Sequence, residues 1–252
     1  MSAFFFGLTA VWHGYRAIFG SQRLKLWALL PIIVAVIVFL AFGTVGLSQI
    51  VQWNPIVTTS LLSLVGLESV TWLWWLVAIG LWPIWFLLLG LALYLLARLV
   101  VAPLYSMLAE RTLVETGVRV DEPFRTLSWM ALTARMAWIS VLKSLLFAVV
   151  GMLLFGFSFI PGLNVLATIG FVHIVAFDIC DYSFEAMGWP LAARFKHFRA
   201  HWPAFSGFAF GLGVAMLIPG LNLLLLPGAV VGGALIVSRT VDRARDGILV
   251  ER

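Results

Sequence analysis

From Leu26 to Ala97 the chain carries a single charged side chain, Glu68. A water-soluble domain has no means of covering so long an apolar run, whereas a bilayer supplies the apolar solvent it needs. A helix rises ~1.5 Å per residue, so about 20 residues cross a hydrocarbon core of ~30 Å. The run therefore divides into two expected spans. The first covers residues 26–48 and follows Arg16, Arg23 and Lys25, with Pro31 in its opening turns, where proline is tolerated. Ser48 to Thr71 contains Gln52, Asn54, Pro55 and Glu68 but no Lys or Arg, and reads as a polar loop on the outer side. Trp72, Trp74 and Trp75 open the second span, expected over 72–117 with a cytoplasmic extension and a kink at Pro83.

Composition removes the main alternative. With 63% hydrophobic and 11% charged residues, the chain lacks the polar surface of a soluble domain. The formal charge of +5 comes from basic residues that flank apolar runs, so it reports membrane topology and no nucleic-acid partner. A lone Cys180 excludes an intramolecular disulfide and a cysteine-based metal cage. No secretory cleavage pattern is visible behind the aromatic start, Phe4-Phe5-Phe6. Residues 3–22 read instead as an interfacial helix.

Charges crowd from Arg98 to Lys143, which places this stretch in the cytoplasm. Asp121-Glu122-Pro123 reads as a helix start, followed by an amphipathic face with Trp129, Met130 and Trp138. Two further stretches, Ser144–Phe177 and Ala200–Ser238, contain no Asp, Glu, Lys or Arg. Each is too long for one ordinary span and short for two. Each carries a central breaker, Pro161-Gly162 or Pro219-Gly220. Two helical hairpins, within residues 123–185 and 190–245, satisfy both facts. They enter and leave on the cytoplasmic side and either re-enter or span. Both chain ends are then cytoplasmic.

Ile160-Pro161-Gly162-Leu163-Asn164 recurs as Ile218-Pro219-Gly220-Leu221-Asn222. The recurrence reflects either duplication or one tight-turn solution reached twice. Each turn starts a half-helix with unpaired N–H groups and partial positive charge, which Asn164 and Asn222 suit as N-caps. Such starts either hold an anion or are satisfied by their own caps. Asp178 and Asp181 share a helix face and suit ion pairing with Lys196 and Arg199, or acid–base coupling. His173 suits packing, or a proton relay. Arg98 near the end of the second span suits snorkelling, or anion attraction. Gly207-x-x-x-Gly211 and Gly228-x-x-x-Gly232 allow close helix packing against an unspecified partner.

No nucleophile elbow, P-loop, dinucleotide fingerprint or H-E-x-x-H occurs. No enzyme, catalytic residue, cofactor or metal is therefore expected. The alternatives are a permease or a membrane scaffold.

Several stretches taken together resemble the CysZ family of bacterial sulfate transporters, which shares a domain with the etoposide-induced proteins of the endoplasmic reticulum. They are Leu29-Leu30-Pro31; Ala102-Pro103-Leu104 with Leu108-Ala109-Glu110; Ile160-Pro161-Gly162 with Cys180-Asp181-Tyr182-x-Phe184 and Glu185; and Ile218-Pro219-Gly220-Leu221-Asn222-Leu223 with Pro227 and Gly232. The resemblance implies an all-α integral membrane protein of two long transmembrane helices and two hemi-penetrating hairpins. It also implies an inner-membrane location, an oligomer of identical chains, and sulfate uptake for cysteine synthesis. The family's Gly-Leu/Ile-Arg-Arg sulfate motif aligns with Arg23-Leu24-Lys25-Leu26, which keeps two cations but rearranges them. Lysine offers a point charge and no bidentate fork.

The expected function is thus a permease or channel for a small inorganic oxyanion, sulfate or sulfite. Arg23, Leu24 and Lys25 lie at its entrance, Asn164 and Asn222 line its path, and His173, Asp178 and Asp181 are candidates for coupling. A non-transporting scaffold of the same fold is the rival.

Overall fold

The computed structural model describes residues 2–118 except Glu68, residues 143–218 except Ser144 and Ala148, and residues 222–250. The expected amphipathic helix start at Asp121-Glu122-Pro123 and the second turn, Pro219-Gly220, lie outside the described residues.

All regular structure among the described residues is helical. In chain order the helices are α1 (Ala3–Leu8), α2 (Ala10–Gly20), α3 (Gln22–Ser63) and α4 (Thr71–Glu115). They continue with α5 (Leu145–Ser158), α6 (Leu163–Ala186), α7 (Leu191–Ala200), α8 (Trp202–Met216) and α9 (Asn222–Val250). Among the described residues, four stretches are long and apolar enough to cross a membrane: Gln22–Ser63, Thr71–Leu93, Leu163–Ala186 and Leu224–Val241. The hairpin arms are unequal. At ~1.5 Å per residue, α6 with its 24 residues reaches about 36 Å, whereas α8 with 15 reaches about 22 Å, less than a hydrocarbon core.

The chain forms two compact units, Leu30–Leu104 and the remainder. In the first, α3 runs on through the stretch expected as a polar loop, as far as Ser63. Its polar side chains are satisfied without leaving the helix. Thr58, Thr59 and Ser63 donate to carbonyls three or four residues back, and Trp53 Nε1 donates to Gln49 Oε1 at 3.1 Å. Asn54, 6% exposed, joins the two helices: it donates to the Ala78 carbonyl at 3.3 Å and accepts from Trp85 Nε1 at 3.1 Å. A buried amide with donor and acceptor both used holds an antiparallel pair where lipid offers no competing partner.

The second unit answers which partner the small-residue patterns serve. The expected N-terminal helix is broken at Thr9, and its two halves pack on the second hairpin. A Cβ on Gly7 would overlap the Ala204 carbonyl, and one on Gly207 the Phe4 carbonyl. A Cβ on Gly14 would overlap the Gly228 carbonyl, and one on Gly232 the Ala10 carbonyl. Thus α1 crosses α8 and α2 crosses α9 backbone to backbone, an approach only glycine permits. Phe205, Phe208, Ala209, Ala229 and Val230 close the core beneath them, each 0% exposed.

Candidate functional site

Asp178, Asp181 and Glu185 stand on one face of α6 near its C-terminal end, at spacings of three and four. Their partners were not visible in sequence. Lys143, just ahead of α5, places Nζ 2.8 Å from Asp178 Oδ1 and 2.6 Å from Asp181 Oδ2. Arg194 of α7 places Nη1 2.7 Å from Asp181 Oδ1 and donates through Nε to the Trp189 carbonyl at 2.8 Å. Asp181 and Arg194 are each 1% exposed. The expected partners, Lys196 and Arg199, lie instead on the exposed side of α7. Gly188, at φ +70°, reverses the chain between α6 and α7. That turn carries Arg194 back over Asp181 and leaves Lys196 and Arg199 outward.

Burial disfavours the ammonium of Lys143, but Asp178 and Asp181 overcome this and hold it above the usual lysine range. Ser106 of α4 donates to Glu185 Oε2 at 3.2 Å, and the neighbouring Tyr105 ring lies 5.7 Å from Tyr182. The Tyr105 hydroxyl is buried without a hydrogen-bond partner among the described residues. Two cations, three carboxyl groups and an unused phenol thus meet in one layer of α4, α6 and α7.

Arg23 and Lys25 are exposed on the first turn of α3, with Leu24 between them 1% exposed. Neither cation has an ion pair among the described residues. That turn lies beside the end of α4. Ser21 donates to Glu115 Oε1 at 2.8 Å, and the Arg111 guanidinium sits 5.7 Å over Trp27. The basic segment and the buried charges thus both meet the later part of α4, at Glu115 and at Ser106.

The Pro161-Gly162 turn is elsewhere. Asn164 and Asp181 are 17 positions apart on α6, about 25 Å at ~1.5 Å per residue. Asn164 is also not the N-cap. Gly162 caps α6 at φ +87°, a conformation open to glycine, and no side chain caps the helix. Asn164 lies in the first turn, exposed. Asn222 begins α9, and its side chain is outside the described residues, as is that of Arg98.

His173 uses both ring nitrogens. Nδ1 meets the Ile169 carbonyl at 2.7 Å and so must donate, and Nε2 lies within hydrogen-bond distance of Ser206 Oγ at 3.0 Å. The ring stacks on Trp202 at 4.6 Å. A second histidine, unremarked in sequence, is more perturbed. His197 Nε2 lies 2.8 Å from Thr240 Oγ1, and burial together with the His201 imidazole pushes its pKa down from 6.5 to about 4. Between those values the unfolded chain binds a proton that the folded one refuses, so stability falls as pH is lowered from 6.5 towards 4. Melting temperature against pH is expected to fall less steeply over this window in His197→Gln than in the parent. Parallel curves would show that His197 does not carry the effect.

These features define an α-helical integral membrane protein with a charged layer at one end of its hairpin unit. Residues 10–227 match the family described as sulfate transporter CysZ/etoposide-induced protein 2.4, and the chain belongs to that family. It is 28% identical to the sulfate transporter CysZ of Pseudomonas fluorescens, over 92% of each chain. It is 27% identical to the proteins of that name from Pseudomonas paraeruginosa and Pseudomonas aeruginosa, over 84% of this chain and 86% of each relative.

Proposed function

We propose that the protein is an inner-membrane permease or channel that admits sulfate for cysteine synthesis, with both termini in the cytoplasm and several identical chains in the assembly. The observation that carries this reading is the pair of exposed cations, Arg23 and Lys25, in the first turn of α3, which holds no acidic residue of its own; Glu115 of α4 accepts from Ser21 there and is ion-paired to neither cation among the described residues. A helix start favours negative charge and disfavours cations, so two cations placed there call for an anion between them. The relatives' name supplies the kind of anion. In this reading the half-helix starts at Asn164 and Asn222 line the outer path. Asp178, Asp181 and His173 are the groups through which protons would couple to flux.

Radiolabelled sulfate uptake into proteoliposomes tests it. Protein-dependent uptake is expected, inhibited by selenate or sulfite. Charge-assisted hydrogen bonds contribute ~1.5–3 kcal/mol each, so the double variant Arg23→Gln/Lys25→Gln should raise KM for sulfate by about tenfold or more with the fold intact. An unchanged KM removes the two cations from the site. Absence of flux from folded, oriented protein favours the scaffold reading, which the rearranged basic segment supports.

A further inference from the structure

The second charged surface is the outward face of α7, which the transport reading does not use. This helix joins α6 to α8, both apolar, so its charges mark the level of the membrane–water interface. It carries Arg194, Lys196 and Arg199, and Asp181 neutralises only the first. Lys196 and Arg199 are exposed and share a face. The chain has no Asp or Glu from Ala186 to Val241, so no acid of the neighbouring sequence offsets them.

Lys196 lines an open groove of about 320 Å³ together with Trp189, Pro190, Ala193, His197 and Ala200, and Arg199 follows three residues on, outside the lining. Its walls are fixed. Trp189 stacks on Phe184 at 5.5 Å and meets the His197 ring edge-on at 5.1 Å, while His197 is tied to Thr240. Phe195 and Trp202, at the same level, are 38% and 48% exposed. An open groove, two cations with no ion pair among the described residues and exposed rings at an interface match a phosphodiester headgroup above acyl chains.

We propose that this groove binds the headgroup of an anionic phospholipid, with Lys196 and Arg199 holding the phosphate. A free oxyanion fits less well, because exposed cations facing bulk water are screened, whereas lipid phosphates are concentrated at this level. The inference does not rest on sulfate transport and is read out without it.

The test is native mass spectrometry of the full chain released from detergent micelles containing phosphatidylglycerol or phosphatidylethanolamine. Phosphatidylglycerol should be retained at least tenfold more strongly. Each surface cation contributes ~1 kcal/mol to anionic lipid binding, so Lys196→Gln should weaken retention roughly fivefold and Lys196→Gln/Arg199→Gln about 30-fold. Lys196→Arg, which keeps the charge, and Arg16→Gln, at an exposed position of α2, should retain the lipid. Both groove substitutions are at exposed positions, and an unchanged melting curve verifies the fold. If the double variant aggregates, the single Lys196→Gln decides. Equal retention of the two lipids, or full retention by Lys196→Gln, overturns the proposal. Displacement by millimolar inorganic sulfate also overturns it and makes the groove a free-anion site.

Discussion

Asp181→Ala is expected to lower the melting temperature of the detergent-solubilised protein by about 10 °C, a loss of ~3–5 kcal/mol. The reason is the company Asp181 keeps. One of its oxygens meets Lys143 and the other Arg194, and both cations are buried with it. Removing the carboxylate takes from both buried cations the ion pair they share, leaving Asp178 on Lys143 and the Glu185 carboxyl near both. The cost is mainly that of stranded charge. Replacing Lys143, Asp181 and Arg194 together with apolar residues, in Lys143→Met/Asp181→Leu/Arg194→Met, should therefore recover part of the lost stability, the remainder being the cost of leaving Asp178 and Glu185 without these cations. Tryptophan fluorescence against temperature reads both variants. A melt for Asp181→Ala within a degree or two of the parent would show that the cluster does not hold α6 and α7 together.

Gly207→Leu should be at least as damaging. Even a methyl group at Gly207 would overlap the Phe4 carbonyl, so α1 would have to lift off α8. Overpacking of this kind costs ~1–3 kcal/mol where the neighbours can shift, and backbone cannot shift without moving a helix. The expected loss is at the top of that range or beyond, and it should expose the amino-terminal segment to proteolysis. Gly80→Ala is the matched control with the opposite sign. No atom lies within 4 Å of a Cβ placed there, so removing a helical glycine should stabilise by ~0.5–1 kcal/mol. Equal effects at the two positions would contradict the close crossing of α1 and α8.

Fold class was legible because it depends on one-dimensional patterns. Charge-free runs of spanning length, broken by Pro161-Gly162 and Pro219-Gly220, define helices in lipid whatever their neighbours do. The end of α3 was less legible. Gln49, Asn54 and Thr58 look like loop residues in sequence, and only the return of α4, with Trp85 and the Ala78 carbonyl, turns Asn54 into an interhelical clamp. The cap of α6 was assigned to Asn164 because asparagine caps helices in general. The geometry of the turn puts Gly162 there instead, since it needs a positive φ.

The candidate site divides along the same line. Asp178 and Asp181 could be read as an ion-pairing face from their spacing, but not their partners. Lys143 is 38 positions from Asp181, and Arg194 reaches it only because the chain reverses at Gly188. The glycine patterns at 207, 211, 228 and 232 gave a surface for close packing but no partner, which proves to be the chain's own first 20 residues. By itself the sequence determined the solvent, because hydropathy and charge placement are properties of each segment alone. Which charges are neutralised, which glycines are filled and which cations stay exposed were decided by tertiary structure, because each depends on a partner brought from a distant part of the chain.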